Sequence, residues 1–225
     1  MNPASSRAPA RSERPAEDAR ARLVAAGLRL FAEQGYAKTS TRELAEAAGV
    51  NVAAISYYFG DKAGLYRTVF FEPFEAPDLD AALLADPGVP LERAVAAFID
   101  VFIEPLKRGD AARQCMKLHF REMLEPTGLW EEELERDIKP MHHGLAALLA
   151  RHFGLAEPDD DLHRLVFMLA GLGVHMHVGR QVFDAVRPGM LDEPADLQQW
   201  RDRLVMFALA MIEAEGARRA AGGGR

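Results

Sequence analysis

The side chains best suited to contact a partner lie between Thr39 and Lys62. Arg42 carries a planar guanidinium whose parallel N–H groups match guanine O6 and N7 in the major groove of DNA. Asn51 has an amide that can reach a base edge, or that can instead only cap a helix. Lys62 falls in the first turn of a predicted helix, where a cation opposes the helix dipole and is better placed beside a phosphate. These residue types favour hydrogen bonding and ion pairing with nucleic acid.

Two short helices joined by a tight turn would position these groups. Ser40 and Glu43 form a capping box, which predicts a helix beginning near Thr41. Gly49 supplies a backbone that can turn where a side chain would clash, so the helix should end there. The side chains predicted to be buried recur at the helical period and are Leu44, Ala45 and Ala48.

A second short helix follows, capped by Asn51 and separated from a third helix by a Gly-Asp pair. Ile55 and Phe59 are four residues apart and should be buried on one face. The opposite face is then free for a partner. Residues 52–54 are Val, Ala and Ala, which are small enough to let the backbone approach a groove and to touch thymine methyl groups.

The segment from about residue 20 to 70 resembles the N-terminal helix-turn-helix of the TetR family of transcriptional regulators. The residues that carry the resemblance are Gly35, Tyr36, Thr39 to Arg42, Leu44, Ala45, Ala48 to Val50, Ile55, Tyr57 to Phe59, Lys62 and Leu65. The resemblance implies a DNA-binding surface that consists of Thr39, Ser40, Thr41, Arg42, Asn51, Val52, Ala53, Ala54, Ser56, Tyr57, Tyr58 and Lys62.

The family also implies a role for each part of this surface. Thr41 and Arg42 would approach the backbone and a base, whereas residues 51–54 and Ser56 would face the major groove. Phosphates would be held by Tyr57, Tyr58 and Lys62. Plainer alternatives stay open, since the two tyrosines could cover a small core and Arg42 could be an exposed helix charge. The chain departs from many members, which have Tyr in place of Ser56 and His in place of Tyr58.

Charge is unevenly distributed along the 225 residues. The net charge is -7, but residues 1–70 hold ten Lys and Arg against seven Asp and Glu, which leaves -10 for the remainder. A basic end suits DNA, and an acidic body would be held away from phosphates. Residues 1–16 form a Pro-, Ala- and Ser-rich basic tail that we expect to be disordered. Its arginines could graze the minor groove, as homeodomain arms do, or could only solubilise the chain.

Beyond residue 70 the hydrophobic pattern is helical throughout, so the predicted fold class is all-α. We expect a three-helix DNA-binding domain at 17–71, a connection at 72–90, a larger helical bundle for ligand binding and dimerisation at 91–218, and a flexible tail at 219–225. The helices predicted for the bundle are Leu91–Lys107, Ala111–Leu124, Trp130–Phe153, Asp159–Arg180 and Ala195–Arg218. Pro140 should kink the third of them.

The last two predicted helices have faces suited to a second subunit. One stripe of the penultimate helix suits the monomer core and consists of Leu162, Leu165, Leu169, Leu172 and Met176. TetR-like proteins usually pair these helices as a four-helix bundle, which implies a homodimer and a roughly palindromic operator. The predicted dimer interface consists of His163, Val166, Ala170, Gly173, His177, Trp200, Leu204, Phe207 and Met211. The alternative is that these helices only complete a monomeric core.

Large or soft side chains accumulate in the predicted bundle. Because Met and aromatic surfaces adapt to apolar ligands, we expect a hydrophobic small-molecule effector to bind among them, with plain core packing as the alternative. The residues concerned are Phe98, Phe102, Met116, His119, Phe120, Met123, Trp130, Met141, Phe167 and Met168. The segments Phe102–Leu106 and Arg121–Trp130 resemble the CecR (YbiH-like) subgroup, which implies an effector-responsive repressor, often tied to efflux or antibiotic response.

Metal, cofactor, enzyme and membrane functions have little support in the sequence. His175 and His177 would point about 200° apart on a helix, so no metal site is expected. Neither a phosphate-binding glycine loop nor a strand-borne nucleophile is present, so no cofactor and no enzymatic activity are expected. A single cysteine, Cys115, excludes an internal disulfide, and neither a signal peptide nor a spanning stretch is recognisable. A cytoplasmic location is the resulting expectation.

These features together predict a homodimeric repressor that binds a double-stranded, palindromic DNA operator. The effector would release it through a population shift, by binding better to the state that fits the operator worse. A transcriptional activator of the same fold is the alternative, and a helical-bundle enzyme is a more remote one.

Overall fold

Helices joined by short turns make up the described part of the chain. The computed structural model describes residues 13–72 and 81–222, and no β-strand occurs among them. The predicted all-α fold class is confirmed. The chain divides into two compact units, Met1–Pro73 and Phe74–Arg225. The predicted tail up to residue 12, the part of the connection at 73–80 and residues 223–225 lie outside the described residues. Across the described ranges, every helix is too short or too polar to cross a lipid bilayer.

The described residues of the first unit form four helices, which are α1 (Glu13–Gln34), α2 (Thr41–Ala48), α3 (Ala53–Phe59) and α4 (Lys62–Phe71). Its core consists of fully buried apolar side chains, among them Leu23, Phe31, Leu44, Ile55, Leu65 and Val69. Helices α1 and α4 approach closely at Gly27, where an added methyl carbon would lie 2.8 Å from Val69 Cγ2. Phe31 and Tyr66 pack edge to face, with ring centroids 4.9 Å apart. This α1–α4 pair is the support on which α2 and α3 are packed.

The second unit contains eight α-helices among its described residues. They are α5 (Ala81–Ala85), α6 (Leu91–Lys107), α7 (Asp110–Leu124), α8 (Leu129–Glu133), α9 (Lys139–His152), α10 (Asp160–Val178), α11 (Arg180–Val186) and α12 (Pro194–Gly222). Helix α6 is central and packs against α7, α10 and α12. Arg201 of α12 donates two hydrogen bonds to the Asp100 carboxylate of α6, at 2.5 and 2.7 Å. This bidentate pair fixes the register between α6 and α12.

Several helix boundaries differ from the prediction. Leu91–Lys107 is confirmed as a helix, but α5 and α11 were not predicted. The predicted helix Trp130–Phe153 is instead α8, a π-helical turn at Leu134–Ile138 and α9. Pro140 lies in the first turn of α9, where the absent N–H costs little, so the irregularity falls in the π-helical turn before it.

Both predicted tails are partly helical. Helix α1 begins at Glu13, within the tail predicted at 1–16, and Pro15 falls in its first turn, where proline is favoured. Helix α12 continues to Gly222, so the flexible tail predicted from residue 219 is corrected for its described part. The reason is a pair of charge contacts with the start of α10. Arg219 donates to Asp159 at 2.8 Å and Arg218 donates to Asp161 at 2.6 Å.

Candidate nucleic-acid interface

Side-chain hydrogen bonds to backbone carbonyl oxygens stabilise the turn between α1 and α2. Thr39 is 1% exposed, and its hydroxyl donates a 2.8 Å hydrogen bond to the Gly35 carbonyl oxygen. The DNA contact predicted for Thr39 is therefore corrected, because its side chain is buried and its hydroxyl is engaged. Lys62 Nζ donates to the carbonyl oxygens of Tyr36 and Thr39, at 2.9 and 3.0 Å, and lies 4.1 Å from the Tyr36 ring centroid. Lys62 thus has a structural role, and a phosphate contact stays a prediction for its third N–H.

Helix α2 begins as predicted and presents Thr41 and Arg42 to solvent. The Ser40 N–H donates to the Glu43 carboxylate at 2.8 Å, and the Ser40 hydroxyl oxygen accepts from the Glu43 N–H at 3.2 Å. The backbone hydrogen bond and then the hydroxyl hold the pKa of Glu43 below its usual range. Gly49 ends the helix in the left-handed region, with φ of 62°. Arg42 forms no ion pair with another described residue, so its guanidinium faces solvent.

Helix α3 buries one side chain fully, exposes three and leaves three partly buried. Ile55 is inside, while Val52 at the helix start is 47% exposed and Tyr57 is 81% exposed. The Oδ1 atom of Asn51 accepts a 2.9 Å hydrogen bond from the Ala53 N–H, as the predicted cap requires. Other exposed residues of the segment are Asn51, Ala53 and Ser56, whereas Ala54, Tyr58 and Phe59 are partly buried. The face opposite Ile55 is therefore open along the length of the helix.

The turn from α3 to α4 sets the direction of α3. Gly60 has φ of 82°, which favours glycine, and Asp61 Oδ1 accepts a 2.8 Å hydrogen bond from the Gly64 N–H. A methyl group on Gly64 would overlap the carbonyl oxygen of Phe59. The last residue of α3 and the first turn of α4 are thus in direct backbone contact.

The stripes predicted on α10 are only partly as expected. The core stripe is confirmed for its buried members, which are Leu162, Leu165, Leu169 and Met176. Of the predicted interface stripe, Val166 and Gly173 are also buried, and a methyl group on Gly173 would overlap the Phe102 ring. His177 Nε2 donates a 2.8 Å hydrogen bond to the Phe102 carbonyl oxygen. The interface role of Val166, Gly173 and His177 is corrected, because Val166 is buried within the unit and α6 already contacts Gly173 and His177. His163 and Ala170 are partly buried.

The interface residues predicted on α12 also differ in how exposed they are. Leu204 is buried within the unit, and Trp200 and Met211 are partly buried. Trp200 donates from Nε1 to the Met190 carbonyl oxygen at 3.0 Å. Phe207 is half exposed, as an interface residue would be in a separate subunit. The large apolar side chains exposed on the two helices are Phe167, Met168, Val178, Met206 and Phe207.

The predicted ligand residues do not line a single surface. Phe98 and Phe102 are buried and pack edge to face, with ring centroids 5.6 Å apart. Phe120 lies against the His177 ring at 5.6 Å, so α6, α7 and α10 bring three of the predicted rings together. The interior contact predicted for Phe167 and Met168 is corrected because both side chains are exposed, and Met123 is exposed too. The remaining members are partly buried and are Met116, His119, Trp130 and Met141.

Two polar interactions between α7 and α8, one of them fully buried, were missed in the sequence analysis. Glu122 is fully buried, and its Oε1 accepts from the Thr127 N–H and hydroxyl and from the Leu129 N–H. The Pro-Thr-Gly turn after Glu122 was the signal that could have revealed this cap. His119 Nδ1 lies 2.5 Å from Glu133 Oε1. Burial acts to lower the pKa of His119, but hydrogen bonds to Cys115 and Glu133 outweigh it and raise that pKa to about 10.

Two histidines join α9 to α10 near the exposed Phe167. His142 Nε2 and His163 Nδ1 are 2.9 Å apart, and the two rings are parallel to within 2°. One ring therefore donates its N–H to the lone pair of the other. Burial lowers the pKa of His142, and the neighbouring His163 and His143 lower it further. Groups of three or more potential metal ligands do not converge anywhere in the described ranges.

The exposed face of α3, with the glycine-ended α2 before it, defines a helix-turn-helix DNA-binding protein of the regulatory kind. Residues 23–69 match the family described as bacterial regulatory proteins, tetR family. Residues 91–214 match the C-terminal domain of the HTH-type transcriptional dual regulator CecR. The CecR protein of Shigella flexneri is 31% identical over 198 residues, which cover 79% of this chain and 87% of that protein. The chain belongs to the TetR family of transcriptional regulators and has a C-terminal domain of the CecR type.

Solved structures share the fold at lower identity. The hemolysin II transcriptional regulator HlyIIR superposes with a TM-score of 0.58 and 20% identity, covering 84% of this chain and 98% of that one. NalD, the secondary repressor of the MexAB-OprM multidrug efflux pump in Pseudomonas aeruginosa, superposes with a TM-score of 0.54 and 18% identity. That superposition covers 87% of this chain and 97% of NalD.

Proposed function

We propose that this regulator acts as a homodimeric repressor on a palindromic operator and is released by a hydrophobic small molecule. The observation that carries the proposal is the exposed surface of α3, where Val52 and Tyr57 face solvent although Ile55, which lies between them in sequence, is fully buried. Large apolar and aromatic side chains exposed on a short helix are costly unless a partner covers them. Arg42 on α2 adds an exposed cation that forms no ion pair with another described residue.

The residues assigned to DNA follow from exposure. Thr41 and Arg42 of α2 approach the backbone and a base, and α3 enters the major groove with residues 51–53 and Ser56. Tyr57 bears its hydroxyl on the most exposed ring of the motif and contacts a phosphate. Tyr58 packs against Tyr57 with ring centroids 4.8 Å apart and orients it. The N-terminal end of α2, which Ser40 caps, approaches the same DNA backbone.

The dimer forms through the exposed apolar residues of α10 and α12. Phe167, Met168 and Val178 lie on α10, and Met206 and Phe207 lie on α12. Because α10 and α12 pack against each other within one subunit, a second copy that covers both helices can cover these side chains. A two-fold axis through this surface presents two copies of α3 to two half-sites.

The effector binds where α6, α7 and α10 meet. Phe102, Phe120 and His177 supply adaptable aromatic surface there. The His119–Glu133 pair between α7 and α8 supplies polar groups for a ligand's hydrogen-bonding end. The effector favours the state that binds the operator worse, so its differential affinity for the two states sets the extent of release. NalD, whose name assigns it to a multidrug efflux pump, makes an apolar drug-like effector the first class to test.

A binding selection tests the proposal directly. Purified protein is used to enrich duplexes from a random library, and the Kd of the enriched duplex is compared with that of a scrambled duplex by fluorescence anisotropy. We expect a palindrome, a specific Kd well below the scrambled one, and release by members of a panel of hydrophobic compounds. No preference for any duplex at low ionic strength would overturn the assignment of α3 to DNA.

Arg42→Ala tests the base contact. The variant should lose about 1 to 3 kcal/mol of binding free energy on the enriched duplex and lose preference at one base pair of each half-site. The matched control is Arg113→Ala, which removes an exposed arginine from α7 in the second unit. Equal losses on enriched and scrambled DNA for Arg42→Ala would contradict the role in reading a base.

Activation is the second candidate, and one observation favours it. The relative CecR of Shigella flexneri is named as a dual regulator. Transcription assays in vitro, with the enriched operator placed upstream of or across a promoter, separate the two. Repression at both operator positions would indicate a repressor. Activation at one position and repression at the other would indicate a dual regulator.

A further inference from the structure

The N-terminal half of the open α3 face is apolar. Val52 is 47% exposed and Ala53 is exposed beside it, whereas the branched side chain of Ile55, one turn further along, is fully buried. An exposed branched side chain at this position gains nothing from the core of its own unit. Its carbon atoms are available to whatever α3 approaches.

The polar neighbour of Val52 is already engaged. Asn51 Oδ1 accepts the 2.9 Å hydrogen bond from the Ala53 N–H that caps α3. Reading an adenine edge requires an amide that uses its oxygen and its nitrogen together. While the cap is kept, one lone pair of Asn51 Oδ1 is used and the side chain is held at the helix end, which restricts its use as a two-point reader of adenine.

Among base edges in the major groove, one feature matches exposed carbon atoms. That feature is the methyl group at C5 of a pyrimidine, which thymine carries and cytosine lacks unless it is methylated. We infer that Val52 and Ala53 read this methyl group, so that the operator half-site carries a 5-methylpyrimidine, as thymine or 5-methylcytosine, opposite the start of α3. The inference rests on the proposed function, because it needs α3 to face the major groove.

The expected size of the effect follows from the apolar area that is removed. Deleting one buried methyl group costs about fourfold in affinity. A homodimer on a symmetric operator makes the contact twice, so replacement in both half-sites should cost about 15-fold. Deoxyuridine is the suitable probe, because it differs from thymidine only by this methyl group and keeps the same hydrogen-bonding edge.

The experiment is a uracil scan of the enriched operator. Each symmetric pair of thymines is replaced by deoxyuridine in turn, and Kd is measured by fluorescence anisotropy at fixed salt. We expect one or two pairs to show a rise in Kd of about 15-fold and the others to stay within twofold. At a sensitive position, the T·A pair is also replaced by C·G, which lacks the methyl group, and by 5-methylcytosine·G, which has it. The duplex with 5-methylcytosine should bind more tightly than the duplex with cytosine. This arm distinguishes recognition of the methyl group from recognition of thymine as a whole.

Val52→Ala assigns the methyl recognition to its residue. The uracil-to-thymine ratio of Kd should fall from about 15 to below about 4 for this variant at the sensitive pair. Val186→Ala, which removes the same atoms from an exposed valine of α11, should leave the ratio unchanged. The inference would be overturned if this ratio of Kd values were below two at every thymine, or if it were unchanged in Val52→Ala. Specific binding of the operator would in that case leave the proposed function standing. Absence of any duplex preference would overturn both.

Discussion

Among individual residues, Gly64 has the most demanding position in the DNA-binding unit. Because a methyl group there would overlap the Phe59 carbonyl oxygen, α3 and α4 must separate to admit it. We expect Gly64→Ala to lower the free energy of unfolding of the first unit by about 3 kcal/mol and to weaken operator binding with it. Urea denaturation followed by circular dichroism measures the first effect, and anisotropy measures the second.

Gly60→Ala is the matched control for that substitution. Gly60 has φ of 82° but open space around it, so an added methyl group meets only the strain of the left-handed backbone. That strain costs about 1 to 2 kcal/mol. If Gly64→Ala proved no more destabilising than Gly60→Ala, close backbone contact would not be what holds α3 in place.

Residues of the binding motif were predictable where their partners are close in sequence. Ser40 and Glu43 are three residues apart, and Gly49 follows directly from the end of the apolar period, so local rules place them correctly. Lys62 donates to a carbonyl 26 residues earlier, and Thr39 is buried by the packing of the whole unit. No spacing rule contains those partners, and both residues were therefore assigned to DNA alone.

Between helices, α10 shows where periodicity stops being informative. Its apolar residues occupy more than one stripe, and a helix that is apolar on several sides can turn any of them inward. The small residue Gly173 was read as a site for a second subunit. It serves instead for the close approach of α6, because the Phe102 ring occupies the space that a side chain would need. The exposed stripe, with Phe167 and Met168, became visible only from the structure.

Gly173→Ala tests this contact between α6 and α10. The methyl group would overlap a buried aromatic ring, so we expect a loss of about 1 to 3 kcal/mol in the free energy of unfolding of the second unit. Gly171→Ala, two residues earlier on the exposed side with open space around it, should be neutral or stabilising by up to about 1 kcal/mol. Equal stability of the two variants in chemical denaturation would place Phe102 elsewhere in solution.

For the whole molecule, three histidines make stability depend on pH in opposite directions. Burial lowers the pKa of His142 and of His177, so both favour the neutral form in the folded state. Their contribution is present above about pH 6.5, the unfolded value, and is lost as pH falls below it. His119 has its pKa raised to about 10, so its contribution is present below about pH 6.5 and is lost as pH rises towards 10.

The expected outcome is a stability maximum near pH 6.5, with losses on both sides. Urea midpoints measured from pH 5 to 9.5 should fall at both ends for the wild-type protein. His119→Gln should lower the midpoint at neutral pH and flatten the alkaline side, because the group that releases its proton on unfolding is gone. The control is His152→Gln, which removes an exposed imidazole from α9. An alkaline slope that survives in His119→Gln would exclude the His119–Glu133 pair as its source.

Assembly is the second property of the whole molecule, and it links the apolar surface on α10 and α12 to operator affinity. Met168 and Phe207 are each about half exposed in the separate subunit, so a charge at either position should not disturb the core. We expect Met168→Glu and Phe207→Glu to yield folded monomers, since two like charges would face each other across a two-fold axis. Losing the second DNA-binding unit should weaken operator binding by about 100-fold or more, because the two half-sites no longer bind as one unit. Light scattering after size-exclusion chromatography reports the assembly state, and anisotropy reports the affinity.

The control variant is Leu124→Glu, at the exposed end of α7, which should stay dimeric and bind normally. Dimers of unchanged affinity in both interface variants would place the subunit contact on another face.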